Sequence, residues 1–493
     1  MSAELSKHVN SLSDHAAFHA IIDDISIESL RSRYSDLSCD PLQVIRSVYS
    51  KIVNHPDKAV WITLIPEIQA LAATEALMQK HPNPDQRPPL YGIPFSVKDS
   101  IDIASLPTTL ACPSYAYTAT ETAPVVQRIL DAGGILIGKT NLDQFATGLN
   151  GTRSPYGTPR CVRDADYVSG GSSSGSAVSV AAGLVSFTVA TDTAGSTRVP
   201  AALNGLVGLK PTLGTISTVG LVPACKTADC ICIIAKTVYS TIAAWEVMRG
   251  YDSNDTYARD PLQLSVLAQQ PSWPTSNYSQ PILYGLPSPS LISSTLSPYY
   301  SIIWSKIVSR LSSLSLVQSS SFTYSPFATA NDLLYGSSIV SQRIVAFKPY
   351  LEKQGYSQLH PVIASIFRAS DGFTAVQAFE DIFALQTLKR QAHSQFRSQY
   401  QSEGIDVLIV PSTALHPTVE EMLADPIDLN KRQGGFTHFV NLLDLCAVSV
   451  PAGGNWVSKN GNSMPFGVTL ISLPGRDLEL LSLGKRLMDL DWM

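Results

Sequence analysis

Apolar positions recur along this chain in two spacings, and the two alternate. SIESLRSRYS and DPLQVIRSVYSKIVN place apolar residues three and four apart, as an amphipathic helix does. In the second, Asp40 and Pro41 supply a cap and a first turn, and Ile45, Val48, Ile52 and Val53 are predicted to share a buried face. WITLIP and YGIPFSVKDS are short apolar runs of strand type. APVVQRILDAG reads as a helix closed by Gly133, and GILIGKTN follows at once as a strand. SGSAVSVAAG is a helix of small residues, and LVSFTVATD is a strand. Helical texture returns in NDLLYGSSIVSQRIVAF and TAVQAFEDIFALQTLKRQAHSQFRSQY, and DVLIVPS, LCAVSVPAG and MPFGVTLIS are late buried strands. Helices between short apolar strands predict a layered α/β fold with helices on both faces of a sheet. The late strands complete a sheet begun before residue 200. Residues 25–493 are therefore expected to form a single domain, with a flexible segment at 1–24 and a helical lead-in at 25–58. Residues 285–327 are rich in serine and read as a variable region.

Composition narrows the function classes. Of 493 residues, 44% are hydrophobic and only 15% charged, below the roughly 25% of an average globular chain. A charge-solvated, disordered protein is excluded. The net charge of −5 offers no basic surplus for phosphate contacts, so no nucleic-acid partner is expected. No run of 18 apolar residues occurs, and the N-terminus lacks the apolar core of a signal peptide. No membrane partner is expected, and the cytoplasm is the default compartment. Seven cysteines are few and odd in number, which argues against a disulfide framework. Cys225, Cys230 and Cys232 lie close together, but without a C-x-x-C pair or a nearby histidine they read as buried thiols rather than metal ligands.

The stretch from Gly170 to Thr212 carries the chemistry. GGSSSGS alone has the composition of a flexible linker. Here it runs straight into a small-residue helix and a buried strand, where glycine and serine allow tight turns with N–H groups facing a cavity. TDTAGSTR then leaves a strand for a short helical segment, and a serine on such a turn is exposed beside free N–H groups. The usual partner of a nucleophilic serine is histidine, yet none occurs between His81 and His360. Either a later histidine folds back, or a neutral lysine does the work. Lys98, at the end of an apolar strand, is the candidate lysine, since burial lowers an ammonium pKa. A lone lysine at a strand end is more often solvated. Asp99, next in the chain, would oppose the shift if its carboxylate faced the amine.

The residues carry a resemblance. Gly170, Gly171, Ser172 and Ser173, then Asp192, Gly195, Ser196, Arg198 and Pro200, then Gly205, Gly208, Lys210, Pro211 and Thr212 resemble the signature of the amidase signature family. GIPFSVKD, AGGILIGKTNLDQFATG and SPYGTPR extend it upstream. Ser174 and Ala194 stand where the family more often has glycine. The resemblance implies a large mixed sheet covered by helices, and a Ser-cis-Ser-Lys triad. By position Ser196 is the nucleophile, Ser172 the bridging serine in a cis peptide after Gly171, and Lys98 the base. The N–H groups of Thr193, Ala194, Gly195 and Ser196 are expected to form the oxyanion hole. No metal or organic cofactor is implied.

Within the family, GLVPACKTADC, DVLIVPSTALHPTVEEMLADP, FTHFVNLLDLCAVSVPAG and LLYGSSIVSQR resemble the allophanate hydrolase branch. Tyr335 and Arg343 match substrate-contacting positions there. Allophanate is a small anionic amide, and a guanidinium can grip a carboxylate bidentately. The two residues are eight apart, which on one helix would set them on one face. Many allophanate hydrolases carry a further C-terminal domain associated with decarboxylating the first product, and this chain is expected to lack it. The rival readings are another small-amide hydrolase of the family, the glutaminase subunit of a tRNA-dependent amidotransferase, and a catalytically dead scaffold. A homodimer is compatible with all of them.

Overall fold

The short apolar runs do form strands, and they meet across long separations in sequence. The computed structural model describes residues 22–268, 281–397 and 403–490. Most of the N-terminal segment read as flexible lies outside the described residues, as do 269–280, 398–402 and 491–493. Thirteen strands are present among the described residues: β1 (Trp61–Leu64), β2 (Pro94–Lys98), β3 (Pro107–Thr108), β4 (Tyr117–Thr118), β5 (Ile135–Thr140), β6 (Phe187–Asp192), β7 (Val207–Lys210), β8 (Cys230–Ala235), β9 (Ile282–Gly285), β10 (Leu316–Gln318), β11 (Val407–Pro411), β12 (Cys446–Val457) and β13 (Ser463–Ser472). Eleven build one sheet in the order β1-β5-β2-β6-β8-β7-β12-β13-β11-β9-β10, while β3 and β4 pair separately. The sheet is mixed. β2 runs parallel to β5 and β6, and β9 runs parallel to β10 and β11. The remaining neighbours are antiparallel.

Successive strand residues point to opposite faces of a sheet. Every residue of β2, β6, β7, β8 and β11 is buried, so both faces of the sheet are covered there. This is why these strands read as continuous apolar runs rather than as alternating ones. The helices Ser174–Ala181 and Val238–Met248 pack on β6 and β8, and Asp477–Met488 packs on β12. The sheet edges are short: β1 is partly exposed, and β10 exposes two of its three residues.

The helical lead-in is built as its sequence predicts, with one correction. Asp40 and Gln43 form a reciprocal capping box at the start of the helix Pro41–Asn54. Ile45, Val48 and Ile52 are buried, but Val53 is 71% exposed. At 100° per residue Val53 falls about 80° from Ile45, on the far side from Val44, which is buried instead. The serine-rich stretch is ordered secondary structure: the helices Pro289–Thr295 and Pro298–Arg310, and the edge strand β10. Buried Tyr300, Ile303, Trp304 and Ile307 tie the second of these helices to the core, while its serines face outward or bond the preceding turn. All seven cysteines are free and buried.

Candidate active site

Parallel pairing of β2 with β6, with Val97 opposite Val189, puts the ends of the two strands side by side. Lys98 closes β2, and Thr191 and Asp192 close β6. The lysine side chain is fully buried. Its Nζ bonds the Ser172 hydroxyl at 2.8 Å and donates to Thr191 Oγ1 at 2.8 Å. Burial pushes its pKa down to about 7, against an opposing pull from the carboxylates of Asp143, Asp192 and Asp229. Asp99 does not interfere. Its carboxylate accepts from the N–H and hydroxyl of Thr109 at 2.9 and 2.6 Å and pairs with Lys139 at 3.1 Å.

Ser172 sits in the loop ahead of the helix Ser174–Ala181, and the Gly171–Ser172 peptide is cis. Asp143 organises this loop. Its N–H donates to the Ser172 carbonyl at 3.1 Å, and its carboxylate accepts from the N–H groups of Asn150, Gly151 and Arg153. A Cβ at position 171 would lie 2.2 Å from Asp143 Oδ2, so only glycine lets the carboxylate approach so closely. The Ser173 N–H donates to the Ser196 carbonyl at 3.3 Å and draws the two serine segments together. The structure thus forms a Lys98–Ser172 contact, but no hydrogen bond joins the Ser172 hydroxyl to that of Ser196.

Ser196 is in the turn between β6 and the helix Arg198–Leu203. Asp192 is the hub of this turn. It accepts from the N–H groups of Gly195 and Thr197 and forms a fully buried ion pair with Arg198 at 2.8 Å. Arg198 holds its carboxyl below the usual range although burial opposes this. Of the four N–H groups expected in an oxyanion hole, that of Gly195 is therefore engaged, at 2.8 Å, by Asp192 Oδ1. Among the described residues, no acceptor takes the N–H groups of Thr193, Ala194 or Ser196. Ala194 keeps a negative φ, whereas Gly195 has φ of +118°, which explains why alanine is tolerated at the first position and glycine is needed at the second. Asp229 braces the turn from outside, accepting from Thr193 Oγ1 at 2.5 Å and from the N–H groups of Ala224 and Cys225.

Tyr335 and Arg343 meet, but not on one helix. Tyr335 ends the helix Ser325–Gly336, and Arg343 starts the helix Gln342–Gln354. Ser337, extended with φ of −134°, breaks the helix, and its hydroxyl accepts from the Ile339 N–H to open a separate turn. The fold rather than the helical repeat brings the Tyr335 hydroxyl to 3.3 Å from Arg343 Nη2. Arg343 is 1% exposed and also donates to Thr147 Oγ1 at 2.7 Å. Among the described residues it has no carboxylate partner, so every group it bonds is neutral. Tyr335 packs in the same apolar cluster as Ala194 of the turn that carries Ser196.

A late histidine does fold back. His438 packs edge-on against Tyr335, with ring centroids 5.3 Å apart. Burial pushes its pKa down to about 4, so it is neutral, and it makes no bond to either serine hydroxyl. Thr191, Asp143, Thr147 and Thr437 were not singled out by the sequence. They lie inside runs that carry the family resemblance, but no spacing reveals their contacts. A cleft of about 440 Å³ lined by Lys51, His55, Ser186 and Lys236 lies elsewhere and shares no residue with this site.

The fold and the relatives of this chain define an amide hydrolase. The chain belongs to the Amidase family, whose model matches residues 43–481. It is 39% identical over 436 residues to the urea amidolyase of Lachancea kluyveri and 38% identical over 450 residues to that of Saccharomyces cerevisiae. These alignments cover 87% and 90% of this chain but only 22% and 23% of those relatives, so the chain spans less than a quarter of their length. An allophanate hydrolase structure from Kluyveromyces lactis superposes with a TM-score of 0.80 and 37% identity, covering 94% of this chain and 72% of that one. The A-type subunit of the glutamyl-tRNA(Gln) amidotransferase of Natranaerobius thermophilus is 30% identical over 455 residues, covering 87% of this chain and 88% of that one. Among the described residues no helix is long and apolar enough to cross a membrane.

Proposed function

We propose that this amidase acts on allophanate. The observation that carries this reading is Arg343, a buried guanidinium that bonds only neutral groups, one of them Tyr335, which packs in one cluster with Ala194 of the turn that bears Ser196. Asp229 lies within the electrostatic reach of Arg343 but does not bond it, and a substrate carboxylate is the group that would pair with the guanidinium directly. In this reading neutral Lys98 takes the Ser172 proton while Ser172 takes that of Ser196. Ser196 attacks the terminal amide carbonyl of the substrate, and the N–H groups of Thr193, Ala194 and Ser196 face the developing oxyanion. The C–N bond breaks, the relay returns a proton to the leaving nitrogen, and ammonia departs. Water then enters through the same relay and hydrolyses the ester to N-carboxycarbamate, which decarboxylates further.

The test is the ratio of kcat/KM for allophanate to that for a neutral amide such as malonamide. Arg343→Ala should lower the ratio by about 10- to 150-fold, the worth of a desolvated charge-assisted contact. An equal fall for both substrates would make Arg343 structural and return the substrate to an open question. The match with the amidotransferase relative, over 87% of this chain and 88% of that one, is what favours a second, glutaminase reading, and glutamine hydrolysis that appears only when the other proteins of such a complex are added would support it.

A further inference from the structure

The segment from Gly434 to Asn441 touches both ends of the site, and the reading above gives it no part. At one end it is tied to the helix that carries Tyr335. Asn331, one turn before Tyr335, accepts from the His438 N–H at 2.9 Å and donates to the Gly434 carbonyl at 3.3 Å, while the His438 ring packs on Tyr335. At the other end it is tied to the nucleophile turn. The Thr437 hydroxyl donates to the Ala194 carbonyl at 2.6 Å, and the Thr437 carbonyl accepts from Arg198 Nη2 at 3.1 Å. Asn441 donates to the Asp192 and Ala228 carbonyls at 2.7 and 2.9 Å.

The bond to Ala194 matters because of the peptide it holds. The Ala194 carbonyl belongs to the Ala194–Gly195 peptide, whose N–H is held at its other end by Asp192. With both ends held, the peptide plane has no freedom to rotate. The flanking N–H groups of Ala194 and Ser196 are left without acceptors and belong to the two peptides hinged on this one at residues 194 and 195, so fixing it restricts the range of both. Thr437 also fills the space beside Gly195, where a Cβ would lie 2.6 Å from its hydroxyl. A glycine with φ of +118° offers no rigidity of its own.

We propose that Thr437 is a positioning residue: its hydroxyl locks the Ala194–Gly195 peptide so that the oxyanion-facing N–H groups are set before substrate arrives. This rests on the reading of Ser196 as nucleophile, and it is independent of which amide is the substrate. Preorganised donors are worth far more than donors that must reorient during reaction, and losing one donor outright costs about 10²- to 10³-fold. Loosening rather than losing the donors should cost about 10- to 50-fold on the same scale.

The measurement is the acylation rate with a fluorophosphonate probe, read by intact mass, beside kcat and KM for a neutral amide and for allophanate. Thr437→Val keeps the shape and removes the hydroxyl. It should slow acylation and lower kcat for both amides by the same factor, with KM within about twofold of wild type, because the change falls on the transition state. Thr437→Ser restores the hydroxyl and should recover most of the rate. If Thr437→Val does not fold, Thr437→Cys, close in size with a weak donor, should acylate more slowly than Thr437→Ser. Acylation at the wild-type rate in Thr437→Val, or equal loss in Thr437→Ser, overturns the proposal. A wild-type enzyme labelled elsewhere than Ser196 overturns the nucleophile reading first, which separates the two failures.

Discussion

Lys98 and Arg343 are both fully buried cations, and the site treats them in opposite ways. Lys98 touches two hydroxyls and lies in the field of three carboxylates, yet burial wins and its pKa falls to about 7. Arg343 touches a carbonyl, a hydroxyl and a phenol, and among the described residues no carboxylate bonds it. An ammonium can shed its proton when desolvated, whereas a guanidinium in a protein does not. The same burial therefore shifts one cation toward its neutral form and leaves the other charged. The local structures differ as well. Lys98 is fixed by the pairing of β2 with its parallel neighbours, while Arg343 depends on a helix break at Ser337 and on contacts with residues 196 and 198 positions away.

The largest break in this comparison is at the serine that Lys98 is proposed to activate. Ser196→Ala should abolish probe labelling and lower turnover about 10³-fold or more, since removing one member of a catalytic unit removes nearly all of its effect. Labelling that survives at Ser172 would reassign the nucleophile.

Next in size is Lys98 itself. A general base contributes about 10²- to 10⁴-fold, and activity should rise with pH through about 7 as the amine loses its proton. Lys98→Arg should lose both the rate and the ascending limb, and an arginine variant with substantial turnover would refute the base role. Stability carries a second sign. The folded pKa lies below the ordinary lysine value of 10.5, so burying this lysine costs stability fully below pH 7. That cost fades between about 7 and 10.5 and is gone above. Lys98→Met should therefore raise the Tm at neutral pH, with a gain that shrinks as the pH is raised.

Lys98 was legible from the sequence because a strand end, a Gly/Ser loop and a strand-to-helix turn are local patterns, and the family resemblance is dense there. The layered α/β class followed from apolar runs too short for helices. The order of the eleven strands did not, because β2, β6 and β8 are joined through segments of different length that carry no mark of their partners. The pairing of Arg343 with Tyr335 was expected only from a resemblance. Eight residues on a helix would have given the same proximity as the observed turn, and periodicity does not register the helix break at Ser337. Thr437 and Asn331 were invisible for the same reason, since their bonds span 243 and 107 residues. Val53 was misplaced by one step of the helical wheel.

Arg343→Lys sharpens the comparison from the other side. A lysine there keeps a charge but loses the planar fork and, being buried, tends to deprotonate. It should recover only part of the allophanate-to-neutral-amide ratio lost in Arg343→Ala, and less of it as the pH rises. Full recovery at alkaline pH would mean that shape rather than charge holds the substrate.

The smallest expected effect is at Tyr335, and it tests whether the grip is one group or two. Its hydroxyl lies 3.3 Å from Arg343 Nη2, and its ring packs between the guanidinium and His438. Tyr335→Phe keeps the ring and removes one neutral hydrogen bond, worth about 0.5–1.5 kcal/mol, or about 2- to 12-fold in kcat/KM for allophanate. Turnover of a neutral amide and probe labelling of Ser196 should both stay within about twofold, because neither Lys98 nor the nucleophile turn bonds the phenol hydroxyl. A double variant with Arg343→Ala then separates the cases. If the phenol only orients the guanidinium, Tyr335→Phe has no further effect once Arg343 is gone. If it meets the carboxylate itself, the two losses multiply.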